Sequence, residues 1–329
     1  MRGAVHSPEP SRALADRDRL RLLKAYLGMG AATLFWASNA VAVKLALQEI
    51  PQLATAALRI TLAAATLFTL YTAQGGRIRL QSGEARTFLR LGLWGLALSF
   101  SSFTLGLNHT SVSHAVFVGA LVPLAVLLLA WREGQEHIAL LQIGGLALSL
   151  LGVLFLALDK PAASGPSWQG DLLVAGGVAC FAYYTVHGKK LVETYSSLQF
   201  NTYSFLAAAL WLFPLLLFEL TRLPWNQITW RGAASLLYSA TVGSAGAYLA
   251  QYYSLRWVKA SRAAVFHYLQ PPLATALGLL FFSETLTTRF LLGAALILAG
   301  VFVAERRCGT KRLSRRPLAA SGRSRDFFA

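Results

Sequence analysis

The chain has 329 residues, with 30 Lys or Arg against 14 Asp or Glu and a net charge of +16. Charged residues make up 13% and hydrophobic residues 55%, about half the charge share of a soluble domain. So few charges cannot cover so much apolar surface in water, which excludes an ordinary cytosolic enzyme and a disordered chain. Two cysteines, Cys180 and Cys308, are too few for a disulfide framework or a cysteine-based zinc site.

Residues 1–24 form a basic N-terminal tail with six basic and three acidic side chains. Ten apolar stretches follow: 25–47, 53–73, 87–108, 112–131, 138–158, 170–190, 200–220, 231–255, 260–282 and 286–305. Each has about the 20 residues that carry a helix across roughly 30 Å of hydrocarbon. The runs are continuously apolar rather than alternating, so helices are the spanning element. The connections are short, and the longer ones hold turn formers, as in Gln74-Gly75-Gly76 and Ala163-Ser164-Gly165-Pro166. Stretch 25–47 is too long for the apolar region of a signal peptide and no small-residue cleavage site follows it, so it is expected to stay as the first span. Residues 306–329 form a C-terminal tail with eight basic side chains and one acidic. The two tails hold ten of the sixteen net positive charges. Basic residues at the ends of a membrane domain meet anionic lipid headgroups; the expected partner is the bilayer and not a nucleic acid.

Lys and Arg also set the orientation. With the N-terminus inside, the inner segments carry 24 of the 30 basic residues and the outer segments four, with Lys44 and Arg59 inside spans. Both termini are therefore expected to be cytoplasmic, and the number of spans even.

The sequence matches itself 148 positions on. Ser113-x-Ala115 falls on Ser261-x-Ala263, Leu121-x-Pro123 on Leu269-x-Pro271, and Glu136 on Glu284. Gly145-x-Ala147-Leu148-x-Leu150-x-Gly152-Val153 falls on Gly293-x-Ala295-Leu296-x-Leu298-x-Gly300-Val301. The expected architecture is all-α and integral to the membrane: ten transmembrane helices as two repeats, over 25–158 and 170–305. Five spans is an odd number, so the second repeat enters the membrane inverted. Inverted repeats enclose a midplane site and supply alternating access.

Trp36-Ala37-Ser38-Asn39 with Lys44 in span one, Arg59 in span two, Gly170-Asp171 opening span six, and the doubled Pro–Glu–Gly–Gly pattern carry a resemblance. The chain resembles the EamA family of the drug/metabolite transporter superfamily over about residues 25–305. Phe181-Ala182-Tyr183-Tyr184 departs from it, standing where a Trp is common. The resemblance implies a bacterial inner-membrane carrier of small metabolites, often amino acids and usually outward. It names no substrate and implies no cofactor.

A charge inside a span is costly and normally faces a cavity or a partner. Lys44 and Arg59 either attract a substrate carboxylate or serve structure, Lys44 by snorkelling and Arg59 by bonding helix-end carbonyls. Trp36 and Asn39 share a face of span one, Tyr248, Gln251 and Tyr252 a face of span eight, and His267 and Gln270 a face of span nine. With Tyr183 and Tyr184 these could line a substrate pocket or simply pack. Their aromatic character suggests flat or apolar cargo such as aromatic amino acids. Pro123, Pro271 and Pro272 either kink spans four and nine for packing or expose backbone carbonyls to a cavity, where they could gate. His267, read as the histidine well inside a span, either titrates near neutral pH or stays neutral and hydrogen-bonded. Glu136 and Glu284 are expected to open the helices that follow them.

No metal-ligand cluster, HExxH, Walker loop or Gly-x-Ser-x-Gly occurs, so neither an enzyme nor an ATP-driven pump is expected. An importer of the same fold, a channel and a scaffold stay open, as do the energy coupling and the oligomeric state.

Overall fold

The computed structural model describes residues 9–81, 83–134, 139–158, 167–254, 269–284 and 286–305. His267, Glu136 and Ser261 lie outside them. Among the described residues all regular structure is helical. Joining pieces that run on without a loop gives ten stretches. They are α1 (Glu9–Ala46), α2 (Gln52–Ala73), α3 (Glu84–His109), α4 (Val112–Arg132), α5 (Leu140–Ala157), α6 (Trp168–Thr194), α7 (Ser197–Leu220), α8 (230–254), α9 (Gln270–Phe282) and α10 (Thr288–Glu305). Helix α1 begins well before residue 25, so basic residues of the expected tail lie on its first turns.

Polar residues beside the apolar runs start several of these helices. The side chains of Ser111, Ser167, Ser196 and Thr229 accept hydrogen bonds from first-turn amides of α4, α6, α7 and α8. Each satisfies one of the donors that a helix start leaves open. Pro123 and Pro271 sit in the first turn of a helical segment, where a missing N–H costs nothing. The break at Ala120-Leu121 ahead of Pro123 divides α4 into two pieces.

Five stretches are long and apolar enough to cross a membrane: Leu20–Ala46, α2, α3, α4 and α7. Leu140–Leu156, Gln270–Phe282 and Thr288–Val303 are apolar but shorter. Stretches α6 and α8 fall outside both sets; they carry much of the polar and aromatic interior described below. Large apolar side chains such as Leu140, Leu150, Leu280 and Phe302 face outward, which a bilayer covers and water would not.

The packing exchanges α1–α5 with α6–α10. Helix α1 lies on α8 as α6 lies on α3, α1 on α9 as α6 on α4, and α2 on α8 as α7 on α3. The pairs α2 with α7, α4 with α9, and α5 with α10 bridge the halves. Even the irregularities repeat. Helix α3 widens to a π-helix at Leu91–Ala97 and α8 at Thr241–Gly246. Each π-segment holds a glycine at a close approach, Gly95 and, 148 positions on, Gly243. A Cβ on Gly95 would lie 2.7 Å from the Cβ of Tyr184, and one on Gly243 2.7 Å from the Cβ of Asn39. The α5–α10 seam is similarly tight, with a Cβ on Gly152 falling 2.6 Å from the Gly293 carbonyl. Small residues let helix backbones meet where lipid supplies no hydrophobic drive.

Candidate functional site

The helices around the α2–α7 contact bring an aromatic cluster together. Tyr248 of α8 is its hub. Its ring centroid lies 5.9 Å from Trp36, 6.0 Å from Phe100, 6.0 Å from Phe181, 5.3 Å from Phe205 and 6.5 Å from Tyr252. Tyr184 and Tyr252 close the cluster through Phe200, at 5.4 and 5.3 Å. The contacts are mostly edge-on or tilted, the arrangement ring quadrupoles favour. Helices α1, α3, α6, α7 and α8 all contribute, so both halves build it.

Arg59 of α2 enters this cluster. It is 4% exposed, its Nε donates to Ser244 Oγ at 3.0 Å, and its guanidinium carbon lies 4.3 Å from the Phe100 ring centre. Nη1 is buried without a hydrogen-bond partner, and among the described residues no carboxylate pairs with the group. Asn39 Oδ1 and Gln251 Oε1 are likewise buried without partners. A buried guanidinium short of partners is expensive, whereas an anion laid against it would be strongly held.

The other candidates are spread out. Lys44 is half-buried near the end of α1, where Nζ donates to the carbonyls of Leu107 at 2.6 Å and Thr110 at 2.7 Å. It caps the end of α3 and sits apart from the Arg59 cluster. Tyr183 is half-buried against the edge of this cluster and stacks on His187, 4.0 Å between centroids, and His187 Nε2 lies 2.9 Å from Glu133 Oε1. Gln270 is half-buried in the first turn of α9, which packs on α1 and α4. Pro271 is buried and Pro272 exposed.

Both ends of the bundle are tied. At the end holding the α2–α3 connection, Tyr71 donates to the Arg77 carbonyl at 2.8 Å, and the Tyr203 hydroxyl accepts from Arg79 N at 3.0 Å. Tyr195 there donates to Glu84 and accepts from Gln81 N. Burial and the Glu84 carboxylate push the Tyr195 phenol above its ordinary value. At the opposite end Glu49 accepts from Thr229 N and Thr229 Oγ1, both at 2.7 Å. Those bonds hold its carboxyl below the usual range.

The sequence reading missed one group of residues. Glu284 does not open its own next helix; it accepts from Val112 N at 2.7 Å, Ser113 N at 3.2 Å and Ser113 Oγ, capping α4 of the other repeat. Asp171, expected only as a helix-opening residue, is 4% exposed. It accepts from Thr110 Oγ1 at 2.6 Å and lies 3.1 Å from His114 Nδ1. Thr110 and Asp171 are 61 positions apart, so no local pattern shows the contact.

Two exchangeable sets of mostly apolar helices around a polar and aromatic centre define a membrane protein of the repeat-built transporter class. The EamA-like transporter family matches residues 23–158 and again 168–305. The chain belongs to that family. It is 26% identical over 288 residues to an uncharacterized transporter of Archaeoglobus fulgidus, covering 87% of this chain and 100% of that protein. It is 23% identical to the uncharacterized transporter YoaV of Bacillus subtilis, over 86% of this chain and 97% of that protein. A probable terminal-alkyne amino-acid exporter of Streptantibioticus cattleyicolor is 24% identical, over 88% and 95%. A solved crystal structure shares the fold at a TM-score of 0.60 and 20% identity, covering 85% of this chain and 96% of that one.

Proposed function

We propose that this transporter exports small metabolites that carry a carboxylate, amino acids foremost, by alternating access across ten membrane spans in two inverted repeats, with both termini in the cytoplasm of a bacterial inner membrane. The observation that carries the substrate class is Arg59: a cation buried among aromatic rings, with Nη1 unpaired and no carboxylate partner among the described residues. A substrate carboxylate completes that donor set, and an aromatic or apolar side chain fits the surrounding rings. Trp36, Asn39, Tyr184, Tyr248, Gln251 and Tyr252 supply the wall and its directional bonds. Lys44 serves the neighbouring helix ends rather than the substrate. The name of the Streptantibioticus relative supports amino-acid export.

The ties at the two ends support alternating access. The Tyr71–Tyr203–Tyr195–Glu84 group and the Glu49–Thr229 group lie at opposite ends of the bundle, and each must part for the centre to open on its side. The test is counterflow. Proteoliposomes loaded with an unlabelled amino-acid mixture are offered labelled amino acids singly. Saturable uptake that needs the internal load is expected. Uptake that neither saturates nor responds to the load means a channel, and none at all removes amino acids from the substrate class.

A further inference from the structure

The junction between α3 and α4, residues 107–114, is held by charged side chains from three other helices. Lys44 of α1 takes the carbonyls of Leu107 and Thr110, Asp171 of α6 takes the Thr110 hydroxyl and faces the His114 imidazole, and Glu284 at the end of α9 takes the amides of Val112 and Ser113. His114 and Asp171 are 3% and 4% exposed, and the imidazole lies over the Phe290 ring of α10 at 5.6 Å. The pair shares no residue with the Arg59 cluster. An imidazole and a carboxylate buried together are expensive to maintain for structure alone, because two apolar side chains would fill the same space at lower cost.

We propose that His114 and Asp171 form a proton-binding site through which pH at that end of the bundle controls transport. With Asp171 ionised, the pair carries one negative charge when the imidazole is neutral and none when it has taken a second proton from water. Among the described residues, Lys44 on α1 and Glu284 after α9 are the flanking charges. His109, at the end of α3, is exposed and gives its carbonyl to Ser167, and Arg289 on α10 donates to the Leu158 carbonyl instead. Because Asp171 belongs to the second repeat and His114 and Thr110 to the first, each proton taken up or lost changes the grip of one repeat on the other. The residues gripped are those where α4 begins, and α4 is packed against α6 and α9 of the other half. A proton exchanged here therefore biases which end of the bundle is closed.

This inference rests on the transport reading, so two readouts keep their failures apart. The first is direct. Protein carrying 13C-labelled histidine in detergent is titrated by NMR, with the His114 signal assigned by its loss in His114→Gln. The signal is expected to respond to pH, and to respond differently in Asp171→Asn, because the carboxylate is the imidazole's neighbour. A signal that does not respond to pH, or that responds identically in Asp171→Asn, overturns the proposal whatever the protein transports. The second uses labelled L-phenylalanine counterflow at equal pH on both sides, stepped from 5 to 8.5. The wild-type rate is expected to change at least about fivefold over that range, and the profile to flatten in both His114→Gln and Asp171→Asn. Profiles that coincide with the wild type overturn it. If wild type exchanges no phenylalanine, the aromatic part of the substrate reading fails and the NMR titration alone decides the proton site.

Discussion

At the scale of single residues, Arg59 is the side chain on which substrate recognition turns. Arg59→Ala is expected to lower counterflow at least about 30-fold, since removing one partner of a buried charge pair costs about 2–5 kcal/mol. Arg59→Lys should recover part of it, because an ammonium keeps the charge but not the planar fork. Normal membrane insertion and a monodisperse elution profile would show that Arg59→Ala still folds, and wild-type exchange in that variant would remove Arg59 from the site. Tyr248 is the structural counterpart. Its ring meets those of six partners on four other helices and on α8 itself, so Tyr248→Ala should destabilise the bundle by about 3–5 kcal/mol, read as a fall in thermal midpoint. Glu49 predicts a pH effect with a definite sign. Its folded carboxyl titrates below the ordinary value of about 4.3, so the Glu49–Thr229 tie contributes fully above that pH and fades as pH falls through the lower, folded value. Thermal scans of wild type and Glu49→Gln should therefore converge at the acid end and separate above it. Curves that stay parallel would mean that the carboxylate does not hold α8.

Helices meet here at places where side chains are missing. Gly95 and Gly243 lie in the π-segments of α3 and α8, Gly95 against Tyr184 and Gly243 against the Asn39 side chain, each on a helix of the opposite repeat. Alanine at either has nowhere to go without moving Tyr184 or Asn39, and overpacking of that kind costs about 1–3 kcal/mol. Both single variants should lower the thermal midpoint, because each glycine sits at the same point of its repeat against a side chain of the other; an unchanged midpoint in both would mean that neither close approach constrains the bundle. The 148-residue offset was legible over spans four, five, nine and ten, where Pro, Glu and Gly recur. The π-segments were not, because π-widening follows from close packing by a neighbouring helix and leaves no composition signal. Glu284 shows the same limit. A carboxylate just before a helix reads as its N-terminal residue, yet this one turns to another helix start with three donors on offer.

For the molecule as a whole, the charge distribution makes the prediction. The proposed orientation assigns 24 basic residues to the inner side and four to the outer, so a fluorescent protein fused after Ala329 should glow in intact bacteria while alkaline phosphatase fused there stays inactive. The opposite result would invert the orientation. Deleting residues 312–329 should leave counterflow intact; complete loss with normal insertion would give the tail a role in transport. The bilayer is why membrane class, helical architecture and the doubled chain could be read from residue order. Burying helices in lipid needs long apolar runs, and those runs and their repeat are written along the chain. Arg59 and Lys44 show where residue order runs out. They look alike in sequence, as lone cations in adjacent spans. Folding lays one against aromatic rings and the other on the carbonyls that end α3. His114 and Asp171 look unrelated, being 57 positions apart, until α4 and α6 pack together. What a polar side chain does inside a membrane depends on which partner stands within about 3 Å of it, and helix packing chooses that partner across distant parts of the chain.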